Sequence, residues 1–374
     1  MSRHGPQARA EDLRWMRMAL GLAQRGEGRC WPNPNVGCVL VREGRVIGRG
    51  WTAPGGRPHA ETQALARAGD AARGATAYVT LEPCAHTGKT PPCAEALIGA
   101  GVARVVTALT DPDPRVAGGG HAMLRAAGIS VSEEVCAGEA ARVTEGFLSR
   151  IRRGRPFVTL KLATSLDGRI ATASGESRWI TGPDARRAVH ALRARHDAVM
   201  IGVGTALADD PELTVRGLGI DQQPLRIVCD TRLRLSIDSR LGRGAKTEPV
   251  WMVHGPEAPV AARQAWQAAG AVTISCPLGP QRSLDPGAML GTLADAGLTR
   301  VFCEGGGQLA ASLLSAGMVD RLITFSAGLA IGAEGRPALA SMEIARLAHA
   351  PRFRLEALEA LGPDICATWE PITG

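Results

Sequence analysis

Residues 59–69, HAETQALARAG, and residues 80–101, TLEPCAHTGKTPPCAEALIGAG, decide how this chain is read. Within them stand a histidine, a carboxylate two residues later, and two cysteines close to prolines. AETQALARAG and CAEALIGAG have the make-up of helices, while ATAYVTLE and the later ARVVTALT are short apolar runs that suit strands. Upstream, EDLRWMRMALGLAQRG places Leu13, Met16, Leu20 and Ala23 at helical spacing. The turn-rich WPNPN follows, then the strand candidates VGCVLV and RVIGRGW. Helices alternating with strands in this way imply an α/β domain whose central sheet lies between helices.

The pattern breaks at the basic RIRRGRP, residues 150–156, and the domain boundary is placed there, dividing the chain into 1–154 and 155–374. A second series of strand candidates follows: FVTLKLA, AVMIGVG, LRIVCD, PVWMVHG, RVFCE and LITFSAG, with helical stretches between them. At 374 residues the chain exceeds what one hydrophobic core usually serves, so two α/β domains are expected. Internal repeats and low-complexity segments are absent from the sequence.

Composition narrows the function. A formal net charge of +7 favours anionic partners, either nucleic acid or small phosphorylated molecules. Only 3% of residues are aromatic, which argues against a surface built to stack many bases. No run approaches the roughly 18 apolar residues needed to span a bilayer, so no membrane association is expected. The opening MSRHGPQARAEDLR lacks the apolar stretch of a signal peptide. Nine cysteines then suggest free thiols or metal ligands in a reducing cytoplasm.

His59, Cys84 and Cys93 offer the nitrogen and sulfur donors that zinc takes in tetrahedral geometry, with a fourth position left for water. Cys93 should open a helix after Pro91 and Pro92, and a helix N-terminus favours the thiolate. Glu61 could shuttle protons, although residues two apart on a helix point about 200° apart, so the placing of the first turn must make it converge. Zinc nucleobase deaminases read H-x-E followed by P-C-x-x-C, with the glutamate as acid/base and not as ligand. Here His59-Ala60-Glu61 and Pro83-Cys84 match, but eight residues separate the cysteines. A closed structural site remains open as an alternative, with His86 or Cys38 as fourth ligand. A nucleic-acid-editing deaminase and a zinc-stapled binding module are the other readings.

The insert carries a family resemblance. WPNPNVGCV, HAE, TLEPCAHTGKTPPC and DPDPRVAGGG together resemble the deaminase half of the bifunctional riboflavin-biosynthesis deaminase/reductase family. KLATSLDGRIATASGESRWITG and RHDAVMIGVGTALADDPELTVR resemble its dihydrofolate-reductase-like half, so the likeness spans about residues 11–370. Two departures stand out: Asp113 where the family usually has Asn, and Ala85 where Ser is common. The resemblance implies a cytidine-deaminase-like α/β/α sandwich followed by a dihydrofolate-reductase-like α/β domain. It implies one Zn2+ per chain on His59, Cys84 and Cys93, with Glu61 as catalytic acid/base. Zinc lowers the pKa of its water toward about 7, and the substrate would be a phosphoribosylamino diaminopyrimidinone. Asn33, His86, Lys89 and Asp111 would contact that substrate, His86 and Lys89 at its 5-phosphate.

In the second half, VFCEGGGQLAASLL fits a literal G-x-G-x-x-A at Gly305, Gly307 and Ala310. A turn of this kind brings a helix N-terminus to a phosphate. As a Rossmann fingerprint it is weak, because no acid follows to hold a ribose. By the family resemblance, Ala163, Trp179, Thr205, Asp209, Thr231, Gly306, Gly307, Gln308, Leu309, Ala310, Ala311 and Ser312 bind NADPH. Thr231 and Arg232 would favour the 2′-phosphate. Ser177, Arg193, Leu213, Arg216 and Glu304 would line the sugar-phosphate substrate, whose ribose is reduced in its open, imine-like form. The expected protein is thus a cytoplasmic two-step enzyme, a homo-oligomer (dimer or tetramer), with a small phosphorylated pyrimidine as partner and no nucleic acid.

Overall fold

The structure is a computed structural model that describes residues 6–86, 91–114, 116–279 and 281–372. The chain divides into two compact units, residues 1–154 and 155–374. RIRR is not a linker of its own. It is the last turn of a helix that closes on Gly154 in the left-handed conformation, with φ 64°.

The first unit runs α1 (Pro6–Ala23), β1 (Gly37–Arg42), β2 (Arg45–Trp51), α2 (Ala60–Ala68), β3 (Thr76–Val79), α3 (Cys93–Gly99) and β4 (Arg104–Thr107). It ends with α4 (Gly119–Ala126), β5 (Ser130–Ser132), α5 (Ala137–Val143) and α6 (Glu145–Arg153). Its sheet has the order β2-β1-β3-β4-β5; β1 pairs antiparallel with both β2 and β3, and β3, β4 and β5 run parallel. Side chains alternate across the sheet as a pleated strand requires. Val39 and Val41 pack with Trp15, Met16 and Leu20 of α1, whereas Cys38 and Leu40 pack with Ala64 of α2 and Leu97 of α3. This is the α/β/α sandwich.

Helix α2 lies unusually close to β2, and two glycines are the reason. A β-carbon at Gly50 would come within 2.3 Å of Ala60 O, and one at Gly48 within 2.2 Å of Ala64 O. No other residue type leaves room for the helix backbone there.

The second unit runs β6 (Phe157–Ser165), β7 (Arg169–Ala171), α7 (Pro183–Ala194), β8 (Ala198–Gly202), α8 (Val203–Asp209), β9 (Leu225–Cys229) and α9 (Arg240–Arg243). It continues with β10 (Val250–His254), α10 (Val260–Ala268), β11 (Val272–Ser275), α11 (Pro286–Asp295), β12 (Arg300–Gly305) and α12 (Gly307–Ser315). The last strands are β13 (Arg321–Ala327), β14 (Arg336–Pro337), β15 (Phe353–Leu361) and β16 (Asp364–Pro371). The nine-stranded sheet has the order β11-β10-β9-β8-β12-β6-β13-β16-β15. It is parallel up to β13, and β16 and β15 extend it antiparallel.

Six of these strands follow the apolar runs of the sequence, and others do not. The run AVMIGVG splits, because Val203 and Gly204 already belong to α8. β7, β11, β14, β15 and β16 match none of those runs. β15 buries none of its nine residues, so its sequence shows no apolar alternation.

Candidate functional site

In the first unit the donors converge on two helix starts. His59 is the N-cap of α2, with extended backbone (φ −69°, ψ 162°), and Cys93 is the first residue of α3 after Pro92. Cys84 follows the end of β3, and its Sγ accepts the Cys93 backbone N–H at 3.3 Å. His59 turns Nδ1 to the sulfurs, 3.2 Å from Cys93 Sγ and 3.8 Å from Cys84 Sγ. The three donor atoms lie within 4.8 Å of one another, and among the described residues neither His86 nor Cys38 belongs to this group. Cys38 is instead a buried core thiol, pushed up by burial.

The chemistry of this donor set fits a zinc ion. A hydrogen bond from Cys93 holds the Cys84 thiol down, to about 4, which keeps it a thiolate. The same bond and burial push Cys93 up, so the two sulfurs share one proton that a dication would displace. Two sulfurs and one imidazole leave one tetrahedral position for a non-protein ligand. Glu61, in the first turn of α2 and only 4% exposed, has its carboxyl raised by burial to about 6. A carboxyl tuned to that range takes up and releases protons near neutral pH.

The proposed substrate contacts around this centre are partly described. Asn33 is half-buried, on the loop that also holds Asn35; the Asn35 side-chain amide donates to Ala23 O and Val143 O. Asp111 is partly buried, its Oδ1 accepts the Asp113 backbone N–H at 2.9 Å, and burial raises its carboxyl. His86 is exposed, and Lys89 lies outside the described residues.

The second unit gathers its candidates at the carboxyl ends of the parallel strands, where open α/β sheets bind ligands. Glu304 is the penultimate residue of β12 and accepts Arg193 through both of its oxygens. Arg193 also donates to Thr214 O at 2.8 Å. Lys161, on β6, brings Nζ to 3.9 Å from Glu304 Oε2. Burial would raise the Glu304 carboxyl, but the Arg193 and Lys161 charges outweigh it and hold it below the usual range. Burial lowers Lys161, with Glu304 opposing. In the sequence Lys161 is one lysine within the strand candidate FVTLKLA, and its distance to Glu304 is what marks it out.

Leu213, buried with φ 57°, turns the chain just before Thr214. Arg216 is more exposed and pairs with Glu212 at 2.6 Å. It lines a cleft of about 650 Å³ together with Arg226, Arg240 and Arg243. Arg193 and Glu304 are therefore in contact, whereas Arg216 contacts neither through any described hydrogen bond or ion pair. Ser177 is half-buried.

The cofactor candidates cluster on neighbouring strand ends. Gly306, with φ 91°, enters α12, whose first residues are Gly307, Gln308, Leu309, Ala310, Ala311 and Ser312. A β-carbon on Gly306 would stand 2.8 Å from Thr205 Oγ1, so this turn is cut close to α8. Asp209 ends α8 and its backbone carbonyl accepts Arg178. Trp179 is 68% exposed, with the Arg186 guanidinium 4.6 Å from its ring centre. Ala163 lies near the end of β6. Thr231 and Arg232 line a separate cleft of about 280 Å³ with Leu278 and Arg282. The glycine turn, the α12 N-terminus and the cationic cleft suit a phosphorylated dinucleotide.

These features define a class: a zinc-binding deaminase domain followed by a reductase domain of dihydrofolate-reductase-like fold. Residues 9–109 match the cytidine and deoxycytidylate deaminase zinc-binding region, and residues 156–367 match the RibD C-terminal domain. The riboflavin biosynthesis protein RibD of Escherichia coli is 44% identical over 370 residues, covering 95% of this chain and 98% of its own. A structure of RibD from Acinetobacter baumannii superposes with a TM-score of 0.87 at 40% identity, over 98% of this chain and 100% of that one. A Thermotoga maritima structure gives a TM-score of 0.85 at 32% identity, over 97% and 99%. It is described as a diaminohydroxyphosphoribosylaminopyrimidine deaminase/5-amino-6-(5-phosphoribosylamino)uracil reductase. The chain belongs to the bifunctional riboflavin-biosynthesis deaminase/reductase family. It is a hydrolase and an oxidoreductase in one polypeptide, and a nucleic-acid-editing deaminase would leave residues 156–367 unexplained. Among the described residues no helix is long and apolar enough to cross a membrane.

Proposed function

We propose that residues 1–154 deaminate 2,5-diamino-6-(5-phosphoribosylamino)pyrimidin-4(3H)-one and that residues 155–374 reduce the ribose of the resulting 5-amino-6-(5-phosphoribosylamino)uracil. The observation that carries this reading is the meeting of His59, Cys84 and Cys93 beside the buried Glu61. His59, Cys84 and Cys93 hold one zinc, which when bound supplies an activated water. Glu61 takes one proton from the attacking water and delivers it to the ring nitrogen as the water oxygen bonds to the amino-bearing carbon. It then takes the proton left on that hydroxyl and passes it to the amine as the C–N bond breaks, releasing ammonia. Asn33 and Asp111 orient the pyrimidine, and His86 and Lys89 meet its phosphate.

In the second domain Gly306–Ser312, Thr205, Asp209, Ala163 and Trp179 hold NADPH, which supplies hydride. Thr231 and Arg232 meet its 2′-phosphate, and Arg282 adds a third group to that cleft. Ser177, Arg193, Leu213, Arg216 and Glu304 seat the sugar phosphate. Reduction of an imine adds hydride at carbon and a proton at nitrogen. Lys161, half-buried and held near Glu304, is the group that can give that proton.

The test offers the zinc-loaded full chain the phosphoribosyl diaminopyrimidinone, a tRNA and a DNA oligomer. The expected result is ammonia from the pyrimidine alone, followed by NADPH oxidation, with NADH much poorer. Ammonia from either nucleic acid, or none from the pyrimidine, overturns the reading.

A further inference from the structure

The segment that leads into Cys84 carries a carboxylate that none of this chemistry uses. Glu82 is 3% exposed and its backbone N–H donates to Leu109 O at 2.8 Å. Its side chain accepts four backbone N–H groups. Oε2 takes Asp111 and Gly118, both at 3.0 Å, and Oε1 takes Gly120 at 2.8 Å and His121 at 3.2 Å. His121 Nδ1 lies 3.9 Å from Oε2.

Gly120 and His121 belong to the first turn of α4, where N–H groups lack helical partners and a negative charge is favoured. Asp111 and Gly118 bracket the loop before that helix. One side chain therefore ties down both ends of the loop, through charge-assisted bonds stronger than neutral ones. The approach is close: a β-carbon on Gly120 would stand 1.9 Å from Pro83 O. The loop so gripped carries Asp111, and the irregular segment after β3 that grips it carries Cys84.

We propose that Glu82 is a positioning residue for deamination, fixing Asp111 against the metal centre through the backbone of the loop and the entry to α4. The inference rests on the reading of Asp111 as a substrate contact. His59, Cys84 and Cys93 contact one another without Glu82, so zinc binding does not depend on it.

Glu82→Gln keeps one acceptor oxygen and turns an NH2 group toward the other pair of N–H donors. Misplacing a positioned group by about 1 Å can cost on the order of 10²-fold. In the zinc-loaded full chain, ammonia release should therefore fall by about 10- to 100-fold in kcat/KM, mainly through KM. Zinc content and the reductase rate on deaminated substrate should stay unchanged. Glu82→Asp, with its oxygens withdrawn by one methylene, should show the same split and serves if the glutamine variant does not fold.

The decisive arm repeats Glu82→Gln in an Asp111→Ala background, where it should add almost nothing to KM. A full additional loss there means that Glu82 acts elsewhere and overturns the inference alone. Loss of zinc from Glu82→Gln with KM unmoved also overturns it. An Asp111→Ala variant with normal KM overturns the inference and the reading of Asp111 together.

Discussion

The two proposed active sites are built by different means. The first draws its proposed metal donors and acid/base from 35 consecutive residues, His59 to Cys93, on two helix starts and the loop after β3. The second collects contacts from β6, α7, α8, β12, α12 and the loops between them, spanning residues 161–312. In the first, the element at each position is dictated: nitrogen or sulfur for the metal, a carboxyl for the proton. In the second, backbone atoms, an exposed tryptophan ring and shared ion pairs carry much of the proposed work. Chemistry that depends on donor identity has few substitutes, whereas chemistry that depends on placement has many.

That contrast predicts all-or-none losses in the first unit and graded ones in the second. The largest effect belongs to Cys84→Ser, which should abolish zinc binding and ammonia release while leaving the reductase intact. Metal analysis checks it, and undiminished zinc would remove Cys84 from the ligand set. Next comes Glu61→Gln, which should keep fold and zinc but lose about 10²–10⁴-fold in deamination, the usual range for acid–base catalysis. Near-normal ammonia release would leave the buried carboxyl without a catalytic part.

The second unit should give smaller steps. Arg216→Ala removes a proposed phosphate contact worth roughly 1.5–3 kcal/mol, which is about 10- to 150-fold in substrate binding. Its existing pair with Glu212 points to the lower end of that range, since the free arginine already has a partner. NADPH affinity, titrated in the same variant, should not move; its collapse would reverse the division between cofactor and substrate residues.

The smallest step is a pH slope. His196 is buried against Thr159 Oγ1 and Leu192 O, and burial holds its imidazole well below the usual value. Its folded pKa is depressed, so its contribution is fully present above the unfolded value of about 6.5 and is lost as pH falls below that. The loss approaches about 1.4 kcal/mol per pH unit. Thermal melts of the second unit between about pH 5 and 7 should show this slope, and His196→Gln should flatten it. An unchanged slope would assign acid sensitivity to other groups.

The same contrast explains what could be read in advance. Strands β1, β3 and β4 and the parallel strands β6, β8, β9, β10 and β12 stand out as apolar runs because helices cover both faces. β15, FRLEALEAL, spaces Leu355, Leu358 and Leu361 three apart among good helix formers, yet pairs with β16 as a strand. Tertiary pairing overrides local preference there, as it often does at a sheet edge. His59, Cys84 and Cys93 were legible as a donor set because zinc demands those residue types. Lys161 was not, because a lysine in a strand is unremarkable until Glu304 is placed beside it. Glu82 was hidden for another reason: its partners are main-chain amides, which leave no mark on residue identity.

The close seat of α2 on β2 carries its own consequence. His59 and Glu61 ride on the same helix start, and that helix rests on Gly48 and Gly50. A single methyl group at Gly50 would lift the proposed zinc donor and the proposed proton carrier together, without altering either. Vulnerability in this enzyme is therefore not confined to its reactive groups. A saturation screen for deamination should find Gly50 nearly as intolerant as His59, although a glycine brings no functional group to the reaction.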